Sequence, residues 1–307
     1  PEPINSPEPI NSPEPINSPE PINSPEPINS PEPINSPEPI NSPEPLKNIK
    51  LMNSLNMVAL RTMLRKECLR FLRIWIQTLL PPAITMSLYF VIFGNLIGSR
   101  IGNMGGFSYM EFIVPGLIMM AVITNAYSNV SSSFYSAKYQ RNIEELLVAP
   151  VSNWIIIAGF VGGGVARGML VGIIVTIVSL FFVDIQIHNL LIIFVTLLLT
   201  TILFSAAGLI NGIFANSFDD VSIVPTFILT PLTYLGGVFY SLSLLPEFWQ
   251  WVSKINPIVY MVSGFRFGFL GVSDINFYVS LGILIGFNII LLGWAYSLIN
   301  RGVGIRS

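Results

Sequence analysis

Six apolar stretches, at about 75 to 97, 112 to 134, 154 to 181, 190 to 214, 221 to 239 and 277 to 299, constrain this chain more than any other feature. Each is close to the roughly 20 residues with which an α-helix crosses a hydrocarbon core ~30 Å thick. Lipid offers no water to satisfy backbone N–H and C=O groups, so stretches of this length must satisfy them internally, as helices. The expected fold is all-α: a polytopic membrane protein with six transmembrane helices. A 307-residue chain with 52% hydrophobic and 10% charged residues is too apolar for a water-soluble fold of that size. A shorter apolar piece, Ile258 to Leu270, follows the segment Pro246 to Pro257 and carries Arg266. It is read as a re-entrant or interfacial helical segment between spans five and six.

Residues 1–42 are seven exact copies of Pro-Glu-Pro-Ile-Asn-Ser, and one more Pro-Glu-Pro closes the tail at 45. Its density of proline denies it a helix or central strand, and one isoleucine in six residues cannot build a core. The tail, 1–45, is read as disordered, either a spacer or an extension without function, with preference for the second. It holds eight of the 17 acidic residues, so the rest of the chain is basic. Two further units follow, 46–74 and the six-span domain 75–307.

Between Met57 and Ile74, Met57, Leu60, Leu64, Cys68 and Phe71 recur at three and four residues, while Arg61, Arg65, Lys66, Arg70 and Arg73 take the other side. This predicts an N-terminal amphipathic interfacial helix, apolar stripe in the acyl boundary and cations against anionic lipid. With six spans, eleven Lys/Arg fall on the side of the termini and three, Arg100, Lys254 and Arg266, on the other. That asymmetry places both termini in the cytosol.

Catalytic groups are scarce. No lysine follows a glycine, so no phosphate-cradling P-loop is present. Cys68 is the sole cysteine and His188, in an external loop, the sole histidine, which excludes an intrachain disulfide and leaves little for a metal site. Neither an enzyme activity, a cofactor on this chain nor a nucleic-acid partner is expected.

Polar groups inside the apolar stretches stand out instead. Arg167 lies near the middle of span three, where an unpaired cation costs roughly 3 kcal/mol or more, so it needs a partner, a carbonyl cluster or water. A structural role and a place on the substrate path both remain open. Span two ends in a polar run beginning with Thr124 and Asn125, which either lines a cavity or bonds neighbouring helices, with preference for the second. Gly159, Gly163, Gly164, Gly168 and Gly172 in span three give small-residue spacings that let helix backbones approach closely. Asp219 and Asp220 are read as helix-capping residues before span five. After that span Tyr240, Phe248, Trp249, Trp251 and Tyr260 suggest an interfacial aromatic belt. In the loop 136–153, Ile143, Leu146, Leu147 and Val148 make an apolar face beside Arg141, Glu144 and Glu145, and Pro150 stops the helix. So short a helix is marginal alone, and a partner surface is expected to cover that face.

Several stretches resemble the type-2 ABC exporter permeases, in particular the YadH-like inner-membrane permeases of bacteria: RIWIQTLLPPAITMSLYFVIFGNLIGSRIG at 73–102, FIVPGLIMMAVITNAY at 112–127, RNIEELLVAPVSNW at 141–154, TPLTYLGGVFYSLSLLP at 230–246 and NPIVYMVSGFRFGFLG at 256–271. The resemblance covers nearly everything from Met52 to Ser307; the repeat tail has no counterpart in it. It implies a permease subunit in a bacterial inner membrane, paired with a second copy over two copies of a cytosolic ABC ATPase that hold ATP and Mg. The loop 136–153 would be the coupling helix, and the segment after span five a pair of short external helices. Alternating access, driven by the ATPase through this loop, is the expected mechanism, and export is implied by the resemblance alone. Rival readings are a non-transporting membrane anchor for a cytosolic complex and an intramembrane enzyme. No residue pattern selects the substrate.

Overall fold

The computed structural model describes residues 45–304, so the repeat tail up to Glu44 and the C-terminal Arg306 lie outside the described residues. The helices are α1 (Pro45–Arg73), α2 (Trp75–Gly94), α3 (Tyr109–Tyr139), α4 (Asn142–Val148), α5 (Asn153–Ser179), α6 (Leu190–Phe214), α7 (218–234), α8 (Glu247–Ile255), α9 (Pro257–Leu270) and α10 (Phe277–Arg301). Extended structure among the described residues is limited to Asn103–Met104 paired antiparallel with Phe107–Ser108. Gly105 and Gly106 join them with φ of 63° and 89°, the positive values that a two-residue hairpin turn demands.

Among the described residues five helices, α2, α3, α5, α6 and α10, are long and apolar enough to cross a membrane. The fifth expected stretch, 221–239, takes a different form. Its helix, α7, winds as π-helix over Val224–Leu229 and ends at Tyr234, short of the length of the other five. Pro225 and Pro231 each remove a backbone donor from this run, and the ladder widens around them. Gly237, at φ 71°, then turns the chain. Ser217 caps α7 through a reciprocal pair with Asp220, whose carboxylate also accepts the N–H of Asn216 at 2.9 Å.

The bundle is organised around α3. Its most apolar window is 78% buried, against 17% for α10, so α3 is the central helix and α10 turns most of its surface to the surroundings. Ser108 starts α3 with a capping box: its hydroxyl accepts the N–H of Glu111 at 3.3 Å, and the Glu111 carboxylate accepts the N–H of Ser108 at 2.8 Å. One apolar cluster joins the N-terminal half of α3 to α9, and another joins its C-terminal half to α4, α5, α6 and α10.

Two local expectations are corrected by burial. In α1 the buried line is Met63, Glu67 and Phe71, while Met57 is 67% exposed, so the face that packs is rotated from the apolar stripe read off the sequence. Arg266, taken above as an external charge, is 1% exposed. It is stabilised there because its guanidinium meets acceptors in three directions. Nη1 pairs with Asp274 at 3.2 Å, Nη2 donates to the carbonyl of Gly237 at 2.6 Å, and Nε donates to the carbonyl of Phe112 at 3.3 Å. The Phe112 ring lies beneath it at 3.8 Å. Asp274 also accepts the hydroxyl of Ser241, so one side chain clamps α9 to α3 and to the loops after α7 and α9.

Candidate functional site: a polar ladder

Asn125, Asn129 and Ser133 recur every fourth residue of α3, which stacks them on a single face. That face meets α1 and α5. The Ser133 hydroxyl donates to the Glu67 carboxylate, 2.8 Å from one oxygen and 2.7 Å from the other. Arg70 pairs with Glu67 at 3.2 Å and donates through Nη2 to the side-chain and backbone oxygens of Asn129 at 2.8 and 3.0 Å. One turn further, Arg167 Nη2 donates to Asn125 Oδ1 at 2.9 Å and to the carbonyl of Thr78 at 3.3 Å. The Thr78 hydroxyl reaches back to the carbonyl of Phe71 at 2.9 Å, across the break between α1 and α2. Three side chains of α3 thus hold α1 and α5 in one register, and Arg167 ties α2 to them.

Close approach of α1 makes the ladder possible, and glycines in α5 allow it. A Cβ at Gly159 would meet Met63 Cβ at 2.8 Å, and one at Gly163 would meet Glu67 Cβ at 2.5 Å. On the other side of α5, Gly168 faces Ala126 and Thr201, at 3.0 and 2.8 Å, and Gly172 faces Val122 at 3.0 Å. Gly164 lies against Val130 and Ser205. The glycine positions therefore serve two interfaces, one with α1 and one with α3 and α6.

The family model described as ABC-2 type transporter matches residues 58–270, a range that includes the whole ladder and α4. The chain belongs to the ABC-2 type transporter family. Inner membrane transport permease YadH of Escherichia coli (strain K12) is 65% identical over 256 residues, covering 83% of this chain and 100% of the relative. Nodulation protein J of Neorhizobium galegae is 22% identical over 218 residues, covering 70% of this chain and 83% of the relative. The protein of the same name from Rhizobium meliloti (strain 1021) is 21% identical over 238 residues, covering 77% and 91%.

Within this ABC-2 chain the loop after α3 forms α4 as a rooted helix. Arg141, with φ 61°, turns the chain in the left-handed region and folds α4 back against α3. Ile143 is 1% exposed, inside the apolar cluster with Phe134 and Ile156, and Leu146 and Leu147 pack on that cluster. Of the apolar face expected to await a partner, Ile143 is thus covered by the chain's own bundle and Leu146 and Leu147 are covered in part, while Val148 stays free. What α4 presents outward is Glu144, Glu145 and Val148, the last 87% exposed.

In the polar run, Asn125 is buried on the ladder, whereas the Thr124 hydroxyl is exposed and donates to its own helix at Met120. Glu67, Arg70 and the Asn129 and Ser133 pairing were missed as a unit. One signal was present: Glu67 is the sole acid in α1, on the same line as Met63 and Phe71, with Arg70 one turn on. A lone carboxylate at a core position of a basic helix asks for a partner.

Proposed function

We propose that this chain is the membrane-spanning subunit of an ATP-driven exporter in a bacterial inner membrane. Two copies form the permease over two cytosolic ATPase subunits, which hold ATP and Mg. Substrate leaves the cytosol or the inner leaflet. The observation that carries this reading is α4, a helix of an ABC-2 family member that is anchored by Ile143 and presents Glu144, Glu145 and Val148 outward. A push on α4 acts on the end of α3, the most buried helix, and through Asn125, Asn129 and Ser133 on α1 and α5. Alternating access follows if that push tilts these helices together. This chain contributes no hydrolytic group; the bond chemistry belongs to the ATPase.

Substituting Glu144→Lys with Val148→Asp reverses charge and removes apolar contact on the outward face without touching Ile143. Loss of a contact worth a few kcal/mol lowers partner affinity by tens-fold or more. Co-purification of the ATPase, and ATP-dependent substrate movement in vesicles carrying both subunits, are expected to fall together. Wild-type values for both would remove α4 from the coupling path.

Counting α7 as the sixth crossing puts both termini in the cytosol, in line with the charge asymmetry. In a Cys68→Ser background, Asn103→Cys and His188→Cys are expected to react with an impermeant maleimide from outside, and Gln140→Cys and Asp219→Cys only after lysis. Inversion at any of the four would overturn the topology.

A further inference from the structure

The ladder holds more donors than acceptors. Arg70 and Arg167 bring two positive charges, close enough to act on one another, against the single carboxylate of Glu67. Both oxygens of Glu67 and the side-chain oxygens of Asn125 and Asn129 are already engaged. By contrast, two buried donors of the same cluster, Nδ2 of Asn129 and Nε of Arg167, have no partner among the described residues, and Asn129 is fully buried. A buried unpartnered donor is destabilising, and so is an uncompensated charge. The group that would relieve both is one that only accepts hydrogen bonds and carries negative charge. Access exists, because the Arg70 side chain is 32% exposed, Arg167 is half-buried, and Thr124 and Ser128 leave polar surface on the adjoining line of α3.

We propose that Arg70, Arg167 and Asn129 form an oxyanion site between α1, α3 and α5, and that its ligand is a phosphate group. A tetrahedral phosphate offers oxygens on every side, as donors contributed from three helices require, whereas a carboxylate offers two in one plane. The phosphate comes either from a lipid headgroup or from a dissolved molecule. The site does not depend on the transport reading, and its test needs no ATPase.

The full chain in micelles of a neutral, phosphate-free maltoside detergent is unfolded thermally with two additions in separate arms. Phosphatidylglycerol is added to the micelles in one, and inorganic phosphate replaces chloride at constant ionic strength in the other. A saturable rise of the midpoint is expected in at least one arm. Response in the lipid arm alone assigns the phosphate to a headgroup, and response to inorganic phosphate assigns it to a dissolved anion. Arg70→Gln and Arg167→Gln are expected to weaken the apparent affinity about tenfold or more, the effect of losing one charge-assisted hydrogen bond. Arg65→Gln, exposed on α1, is expected to leave it unchanged. Asn129→Asp supplies the missing negative charge in place, so it is expected to fold and to lose the anion response, which decides the matter even where a glutamine variant fails to fold. No response to either anion in the unmodified chain, or a response that Asn129→Asp retains, overturns the site.

Discussion

Replacing Arg266 by methionine is expected to lower the unfolding free energy by about 3 kcal/mol, because it leaves the partly covered Asp274 carboxylate and two carbonyls without their donor. Arg266 is nearly inaccessible and bonds Asp274, Gly237 and Phe112 at once. Methionine fills similar volume, which separates the lost polar contacts from any cavity. Thermal unfolding in detergent is the measurement, with the monodisperse fraction on size exclusion as a second readout. Arg266→Lys keeps the charge but cannot reach three directions, and an intermediate midpoint is expected. An unchanged midpoint in the methionine variant would show that the clamp contributes no stability.

Gly163→Val is expected to free α1 from the bundle. Its first added carbon would stand 2.5 Å from the Cβ of Glu67, and both belong to helix backbones that cannot yield locally. Overpacking of this kind costs about 1–3 kcal/mol. Displacing α1 also separates Glu67 from Ser133 and Arg70 from Asn129, and hydrogen bonds to charged groups are worth about 1.5–3 kcal/mol each. Cys68, the single cysteine and half-buried on α1, reports the movement directly. Its maleimide labelling is expected to accelerate in Gly163→Val and to stay unchanged in Gly282→Val, where an added Cβ meets nothing within 4 Å. Equal labelling in both variants would mean that α1 does not depend on the glycine groove.

The legibility of this chain differs by residue. Long apolar runs announce helices because a bilayer leaves no other way to satisfy the backbone, so α2, α3, α5, α6 and α10 could be placed to within a few residues from sequence. The stretch 221–239 was legible as apolar but not as a helix that ends early, since two prolines and a turning glycine act through backbone geometry that hydropathy does not register. Arg266 was counted among the charges on the side away from the termini, and a residue count cannot see the carbonyls of Phe112 and Gly237, which reach it from 154 and 29 residues away. How much of the α4 face stays free was not legible for a related reason. Its apolar side is plain in the sequence, but whether Ile143 is covered depends on the direction in which the Arg141 turn sends the helix.

Sequence alone determined that this is an all-α membrane protein, that its polar residues inside the apolar stretches are few, and that its glycines concentrate in α5. Those properties follow from local composition and period, which a bilayer converts into structure with little ambiguity. Only the tertiary structure decided which residues meet: Glu67 with Ser133, Arg70 with Asn129, Arg167 with Asn125, and Arg266 with Asp274. Inside a membrane the burial of a charge is tolerated only beside a specific partner. Partners drawn from helices distant in sequence are set by the packing register that the α5 glycines permit.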